Sequence, residues 1–378
     1  MNMIDVFYLF RETPARRDML MKILSGQGSG LAGEQLFGFD RLLHKWRVDS
    51  NLCFPRHSIF FDQIISLFDR TYSVRAGAGL GDIGAIFSNL KRINRARVVL
   101  ATSDNTGLAA IRLKKWGLIT SPLIYVSVGL PERLKAVASL SLARVDRYRQ
   151  RLYGVDKILA YGYAEAEWLH TWLGGEVDVQ FLPFGVDTEK WTPFHYSGLD
   201  EIDVLSIGAD EMRDFSLLVE YGRKHPDIRV TLVTTESCSK SLGHVPSNIK
   251  ILRDLPIDEL RILISKARLV VLPVKENSYS GATTTMLQCM AMAKAVTVSR
   301  VGAISKGYDL EDGTNIIWME PGSYRSLENV VDSLLVNNEI CKRIGDGARH
   351  HVVKHLNWNL YVSRLEQYLT QWVYIQNP

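Results

Sequence analysis

Short runs of apolar, often β-branched residues alternate along the chain with longer stretches in which apolar residues recur every three to four positions. The short runs predict buried strands, and the longer stretches predict amphipathic helices. Strands and helices in regular alternation are typical of βαβ units, which build parallel sheets covered by helices. The predicted fold class is therefore α/β.

The apolar runs predict strands in both halves of the chain, and the first half carries fewer clear helical patterns than the second. In the first half the predicted strands are Ile4–Phe10, Val48–Cys53, Arg97–Thr102, Leu123–Val128 and Lys157–Tyr161, with helices over Glu34–Trp46 and Asp82–Ile93. In the second half they are Asp203–Ile207, Arg229–Thr234, Lys250–Leu252, Leu269–Leu272, Ala295–Ser299 and Asn315–Met319, with helices over Phe215–His225, Ile257–Lys266, Thr284–Ala293 and Ser326–Leu335.

A turn-rich stretch with proline and glycine, Leu182–Pro193, separates the two series of elements. It predicts one domain over residues 1–183 and a second over 184–355. Open α/β sheets bind ligands at the carboxyl ends of their strands, so two such sheets in tandem predict a site in the cleft between them.

The 378 residues are 46% hydrophobic and 23% charged, which is typical of a packed globular protein with two domains. No apolar run approaches the roughly 20 residues that span a bilayer. The chain starts directly with a predicted strand and shows no signal-peptide cleavage region. The four cysteines have no metal-binding spacing. These features predict a cytoplasmic protein, and peripheral contact with a membrane stays open.

The charge is uneven along the chain. Residues 1–150 contain 22 Lys/Arg against 12 Asp/Glu, whereas the remainder contains 23 against 29. A basic first half suits an anionic lipid surface, an acidic acceptor or nucleic acid, and it equally suits ordinary solvated helix faces. Nucleic acid is disfavoured because no recognition motif is present. Apolar and aromatic residues near basic ones at Phe60–Tyr72 add to the expectation of anionic lipid contact.

The stretch from Leu272 to Val296 carries the most chemical information. A buried strand gives way to a polar loop, and a helix with small residues is predicted to open near Ser280–Thr284. The N–H groups of Gly281, Ala282 and Thr283 at the helix start, with the helix dipole, suit an anion such as a diphosphate. The alternative is a helix capped by Ser or Thr that holds no ligand.

This stretch resembles the donor-binding signature of glycosyltransferase family 4, in which two glutamates with seven residues between them precede Ala-Met-Ala. The second acidic position falls on Gln288 and the first on Ser280. The resemblance implies that Gln288 binds the ribose hydroxyls through its amide. Ser280 is a weaker partner for a sugar hydroxyl than a carboxylate, and Glu276 is a candidate to replace it.

The resemblance continues upstream of this stretch. Val204–Glu220 resembles the opening of the family's C-terminal domain, which implies that Gly208 follows a strand and that Arg213 grips the diphosphate. The alternative for Arg213 is a surface pair with a neighbouring aspartate, Asp210 or Asp214. Ile251–Pro256 resembles the segment whose backbone reads the nucleobase, which implies a role for Asp254 and Leu255.

Further matches are the interdomain link Phe184–Pro193, the strand and turn Gly313–Gly322 and the helix Arg343–Val353. The resemblance covers the chain well from about residue 155 onward. It implies two Rossmann-like domains of the GT-B type facing each other across a cleft, with a final helix over 356–378 that crosses back to the first domain.

The resemblance also implies an activity. A retaining, metal-independent glycosyltransferase of the hexosyltransferase class would move a sugar from a nucleoside-diphosphate sugar to a glycan, a lipid-linked acceptor or a small molecule. Arg213 and Lys275 would stabilise the departing diphosphate, so no metal or other cofactor is expected. A non-catalytic nucleotide-sugar-binding subunit and a nucleotide-sugar epimerase are the alternatives.

The first half is less informative about chemistry. Asp104, Ser127 and Glu132 follow predicted strands and are candidates for acceptor contacts, and each is also explained as a cap or turn residue. The GxGxxG spacing at Gly79–Gly84 has no clear strand before it, so we interpret it as a glycine-rich helix entry rather than a dinucleotide site.

Overall fold

The chain folds as two compact units. Unit 1 comprises Met1–Leu182 together with Tyr361–Pro378, and unit 2 comprises Pro183–Leu360. The computed structural model describes residues 3–27, 33–53, 82–139, 141–194, 202–278 and 281–374.

Unit 1 contains a parallel sheet of six strands in the order β2-β1-β3-β4-β5-β6. Its register is fixed by pairs such as Phe7 with Val99 and Tyr125 with Ile158. The strands are β1 (Ile4–Leu9), β2 (Val48–Ser50), β3 (Ala96–Ala101), β4 (Leu123–Ser127), β5 (Lys157–Ala160) and β6 (Val179–Phe181).

The helices of unit 1 cover a sheet whose central strands are buried on both faces. Every residue of β4 and β5 is buried, as continuous apolar strands of a parallel sheet require. The helices are α1 (Pro14–Leu24), α2 (Phe39–Leu42), α3 (Ile83–Phe87), α4 (Leu90–Ile93), α5 (Asp104–Lys115), α6 (Leu130–Ala138), α7 (Leu142–Leu152) and α8 (Tyr163–Trp172). Short 3₁₀ turns span Gly33–Leu36 and Asn51–Cys53.

Unit 2 has a second parallel sheet of six strands, in the order β12-β11-β10-β7-β8-β9. The strands are β7 (Ile202–Ile207), β8 (Val230–Thr234), β9 (Ile249–Arg253), β10 (Ala267–Leu272), β11 (Val296–Ser299) and β12 (Ile317–Met319). In both units the described strands pair in parallel, so the prediction of an α/β fold with two Rossmann-like sheets is confirmed.

Helix α14 (Tyr324–Leu335) shows how a helix of unit 2 buries an apolar stripe. In α14, Leu327, Val331 and Leu334 recur at helical spacing and are buried, and the Ser323 hydroxyl caps the helix by accepting from the Ser326 N–H. The helices are α9 (Phe215–Lys224), α10 (Glu236–Lys240), α11 (Ile257–Lys266), α12 (Thr283–Ala291), α13 (Gly302–Ser305), α14 (Tyr324–Leu335) and α15 (Asn338–His355).

The last helix, α16 (Trp358–Val373), belongs to unit 1 from Tyr361 onward. The hydroxyls of Tyr161 and Tyr361 form a hydrogen bond with an O···O distance of 3.0 Å, and Val362 packs against Gly38. None of the helices in the described ranges is both long enough and apolar enough to cross a membrane.

Two predicted helices are corrected by the structure. Glu34–Trp46 is not one helix, because Phe37 and Gly38 adopt positive φ angles of 50° and 83° between a 3₁₀ turn and α2. Asp82–Ile93 is likewise divided into α3 and α4, which are separated by Ser88 and Asn89. The short strand β6 is absent from the predicted set.

Candidate functional site

Two loops meet at the carboxyl edge of the unit 2 sheet. The strands that precede them, β7 and β10, are neighbours in the sheet. Arg213 and Val274 form an antiparallel bridge between the loops. On either side of it the Asp214 N–H donates to the carbonyl of Pro273 at 2.9 Å, and the Lys275 N–H donates to the carbonyl of Met212 at 2.8 Å. The backbone thus holds the loop segment that carries Arg213 next to the segment that carries Lys275.

The Arg213 side chain is only 2% exposed. Its Nε lies 3.3 Å from Asp210 Oδ2, and its Nη2 donates to the carbonyl of Gly281 at 3.3 Å. The stem crosses Gly208 so closely that a Cβ there would overlap it. Any residue with a Cβ at position 208 would overlap the arginine side chain, so this packing requires glycine there. The guanidinium is consequently fixed between the end of β7 and Gly281, two residues before α12.

Lys275 differs from Arg213 in being exposed. Its Nζ donates to the carbonyl of Glu211 at 3.1 Å, and its own carbonyl accepts from the buried Asn277 side chain at 2.5 Å. The N–H of Val274 donates to the Ser299 hydroxyl at 2.8 Å, which ties the loop to the end of β11. The ammonium therefore has one carbonyl partner and remains accessible from solvent.

A cavity of about 440 Å³ opens beside these residues. Its cations are Arg213 and Lys275. The carboxylate of Asp210 pairs with Arg213, and that of Asp214 accepts from the Ser216 hydroxyl. The lining residues are Asp210, Glu211, Arg213, Asp214, Phe215, Ser216, Ser237, Cys238, Ser241, Leu242 and Lys275.

Helix α12 begins next to the arginine. Its N-cap residue, Ala282, makes no side-chain cap, and the buried hydroxyl of Thr283 has no hydrogen-bond partner within the described part of the chain. N–H groups at an uncapped helix start attract anions. Arginine, lysine and the helix start together form an arrangement suited to a phosphate group.

In unit 1, the ends of β3 and β4 bring two of the predicted acceptor-side residues together. The Val128 N–H donates to Asp104 Oδ1 at 2.9 Å, and the Ser127 hydroxyl donates to Glu165 Oε1 at 2.6 Å. Burial raises the pKa of Asp104. Glu132, in contrast, forms an ion pair with Lys135 at 2.8 Å on the outer part of α6.

The whole chain resembles several solved structures. Sucrose-phosphate synthase from Thermosynechococcus elongatus matches with a TM-score of 0.67 and 14% identity, over 97% of this chain and 98% of that one. HepE from Anabaena in complex with UDP and glucose matches with a TM-score of 0.68 and 14% identity, over 97% and 99%. A glycosyltransferase from Rickettsia africae matches with a TM-score of 0.61 and 11% identity, over all of both chains.

The chain has the GT-B fold. Its two six-stranded parallel sheets with their covering helices match the two Rossmann-like domains of these glycosyltransferases. At 11–14% identity the likeness establishes the fold rather than the activity. No protein-family model matches the sequence, and no curated protein matches it.

In this GT-B chain the predicted donor residues separate into two groups. Gly208, Arg213, Lys275 and Gly281 lie together, and Ala282 and Thr283 continue into α12, where Gln288 is half-buried. Of the predicted donor residues that the structure describes, Arg213 and Lys275 line the cavity and the others do not. Asp254 and Leu255 follow the edge strand β9, and Asp254 has a positive φ of 49°. Glu276 is exposed. Ser280 lies outside the described residues.

Sequence reasoning missed two features of these sites. The Arg213–Asp210 pair is not a surface pair, because the arginine side chain is almost completely buried. Glu165 was not predicted at all, although it is fully buried at the start of α8. A glutamate on a helix normally faces solvent, so nothing in the local pattern distinguished Glu165.

Proposed function

We propose that the protein is a glycosyltransferase that moves a sugar from a nucleoside-diphosphate sugar to an acceptor with retention of configuration. The observation that carries this proposal is the buried Arg213, which passes Gly208, contacts Gly281 before α12 and lines the cavity of unit 2 together with Lys275. The solved structures similar to the chain support it, since HepE was determined with UDP and with UDP-glucose.

In this reaction the protein has to stabilise the negative charge on the leaving diphosphate. The bond between the anomeric carbon and the diphosphate oxygen breaks, and its electron pair goes to that oxygen. The acceptor oxygen forms the new bond on the same face, and its proton passes to the departing phosphate oxygen. Arg213, Lys275 and the helix start supply positive charge where the negative charge grows, which is preorganised electrostatic stabilisation.

We further propose that no metal takes part and that the enzyme is a cytoplasmic hexosyltransferase. Protein cations fill the role of the metal in this mechanism. Gln288 contacts the ribose, and Glu276 or Ser280 contacts the donor sugar. The acceptor is a glycan, a lipid-linked sugar or a small molecule.

The test is release of nucleoside diphosphate from a panel of nucleotide sugars by the full chain and by Arg213→Ala. We expect turnover with at least one donor and a loss of about a hundredfold or more in the variant, because the arginine acts on charge that builds in the transition state. Near-normal kinetics in a folded Arg213→Ala protein would mean that the site is misplaced.

A non-catalytic donor-binding subunit is the second candidate, since the two acidic signature positions are Ser280 and Gln288. Binding of a nucleotide sugar by calorimetry without any release of nucleoside diphosphate would favour it. An epimerase would instead convert the donor sugar without releasing the nucleotide.

A further inference from the structure

The carboxyl group of Glu165 lies fully buried at the carboxyl edge of the unit 1 sheet. One oxygen, Oε1, accepts from the Ser127 hydroxyl at 2.6 Å and from the Gly129 N–H at 2.9 Å. Ser127 ends β4, and α6 begins at Leu130. A single carboxyl oxygen on α8 therefore joins the end of a strand to the start of the next helix.

A second buried carboxyl group holds the same loop from the other side. Asp104, at the start of α5, accepts through Oδ1 from the Tyr125 hydroxyl at 2.5 Å and from the Val128 N–H at 2.9 Å. Consecutive N–H groups of one short loop, those of Val128 and Gly129, thus donate to two different carboxyl groups. The loop has little freedom while both hydrogen bonds persist.

Burying two acids close together disfavours their ionised forms. Burial raises the pKa of Glu165 to about 7, and the charge of Asp104 acts in the same direction, while the hydrogen bonds from Ser127 and from the Gly129 and Leu130 N–H groups oppose it. The other oxygen, Glu165 Oε2, is buried without a hydrogen-bond partner among the described residues.

The groups around the pair determine its response to pH. Burial also raises the pKa of Asp104, and it is opposed by the hydrogen bonds from Tyr125 and Val128 and by the charge of Arg133 on α6. Burial and the two carboxyl groups raise the pKa of Tyr125 well above its ordinary value, so its hydroxyl keeps its proton. Glu165 is therefore the group of this cluster that titrates near neutral pH, and Asp104 is a buried acid whose pKa is raised in the same direction.

We propose that Glu165, with Asp104 as its partner, is a positioning residue that holds the loop Ser127–Leu130 in place and so sets the binding of the acceptor. The link to the acceptor rests on the proposed glycosyltransferase activity, whereas the effect on the loop does not.

The direction of the pH effect follows from linkage. Glu165 has a pKa of about 7 while the loop is closed, compared with an ordinary value of 4.5. Opening the loop to water returns the group toward its ordinary value, so the closed state loses relative stability as pH rises from 4.5 through 7. A difference of this size raises the ratio of open to closed loop by on the order of a hundredfold at most.

Hydrogen exchange of the full chain tests the effect on the loop. The amides of Val128 and Gly129 should lose protection by about tenfold or more between pH 5.5 and 8, after correction for intrinsic exchange rates. Strand β3 serves as the internal reference and should not follow this slope. In Glu165→Gln, which retains an acceptor oxygen for Ser127, protection should no longer depend on pH.

Glu167→Gln is the matched control, since it makes the same chemical change at an exposed position of the same helix. It should retain the wild-type slope. Protection of Val128 and Gly129 that does not change with pH in the wild-type chain would overturn the proposal, whether or not Glu165→Gln folds.

Kinetics tests the effect on the acceptor. The KM for the acceptor should rise between pH 6 and 8 in proportion to the loss of the closed fraction that exchange measures, by about tenfold at most, while the KM for the donor and its slow hydrolysis without acceptor stay constant. Exchange that responds to pH together with an unchanged acceptor KM would remove the acceptor role. A chain without turnover on any donor would contradict the proposed function, and the exchange experiment would still decide whether Glu165 positions the loop.

Discussion

Arg213 crosses the Cα of Gly208 so closely that a methyl group added to Gly208 would overlap the arginine side chain. The overlap involves the stem and Nε of a side chain that is buried and bonded to Asp210 and Gly281. The arginine cannot move aside without losing these partners, since its surroundings are packed. Gly208 thus defines the position of the guanidinium.

We expect Gly208→Ala to lower turnover by on the order of tenfold to a hundredfold, because displacement of a charged group by about 1 Å disrupts transition-state stabilisation. Nucleoside-diphosphate release measures turnover, and circular dichroism checks the fold. The double variant Gly208→Ala/Arg213→Ala should be no slower than Arg213→Ala alone, since the overlap is then gone. Additive losses in this cycle would show that Gly208 acts independently of Arg213.

We also expect activity to survive strong chelators. The proposed mechanism assigns the positive charge to Arg213 and Lys275, and the described ranges contain no group of three or more His, Cys, Asp or Glu residues placed to hold a metal ion. Turnover should change by less than about twofold in excess EDTA. Loss of turnover that magnesium or manganese restores would contradict a metal-free mechanism.

Much of the sheet framework was predictable because buried parallel strands are continuous apolar runs. β7, β8 and β10 are the plainest examples, with nearly all of their residues buried. β6 has three residues at the edge of its sheet, which is too short for such a signal. Helix α1 was missed although Thr13 caps it and Pro14 opens it, a start signal that propensity rules do recognise.

The broken helices show where local pattern was insufficient. Glu34–Trp46 has helical periodicity, yet Gly38 interrupts it and packs against Val362 from the far end of the chain. The local sequence shows the glycine that interrupts the helix, but it does not show that Val362 packs against Gly38.

The site was predictable in part for the same reason. That Arg213 and Lys275 each follow a strand is visible in the sequence, and the family resemblance suggested their roles. The two loops meet because β10 pairs directly with β7 in the sheet, although β8 and β9 lie between them in the sequence. Only the sheet topology reveals this pairing. Glu165 depends on three separate segments converging, so no single stretch of sequence indicates it.

We expect unit 1 to bind anionic lipid vesicles weakly at low ionic strength, since residues 1–150 contain 22 Lys/Arg against 12 Asp/Glu. The segment Phe60–Tyr72, which contributed to this hypothesis, lies outside the described residues. Each basic residue at such a surface contributes about 1 kcal/mol, and salt screens this attraction. Flotation with anionic and neutral vesicles, at low and high salt, measures the binding.

Charge reversal provides the matched control for this experiment. Arg133→Glu/Arg147→Glu alters two exposed residues of unit 1, and Lys240→Glu/Lys354→Glu makes the same change in net charge at exposed positions of unit 2. The first pair should weaken vesicle binding by about tenfold or more, and the second should change it little. An equal loss of vesicle binding in the two double variants would mean that the net charge of the protein, rather than the surface of unit 1, determines the binding.

The last prediction separates Lys275 from Gln288 by steady-state kinetics. A charged hydrogen bond to phosphate contributes roughly 1.5–3 kcal/mol, and more where charge accumulates in the transition state. Lys275→Ala should therefore lower kcat by on the order of a hundredfold, with a modest change in the donor KM. Gln288→Ala should instead raise the donor KM by about tenfold with little change in kcat, because contacts to the ribose barely change during the reaction. Lys354→Ala, at an exposed position of α15, a helix that contributes no residue to the described cavity lining, should leave both constants unchanged. A fall in kcat for Gln288→Ala as large as that for Lys275→Ala would show that the two residues do not divide binding and chemistry in this way.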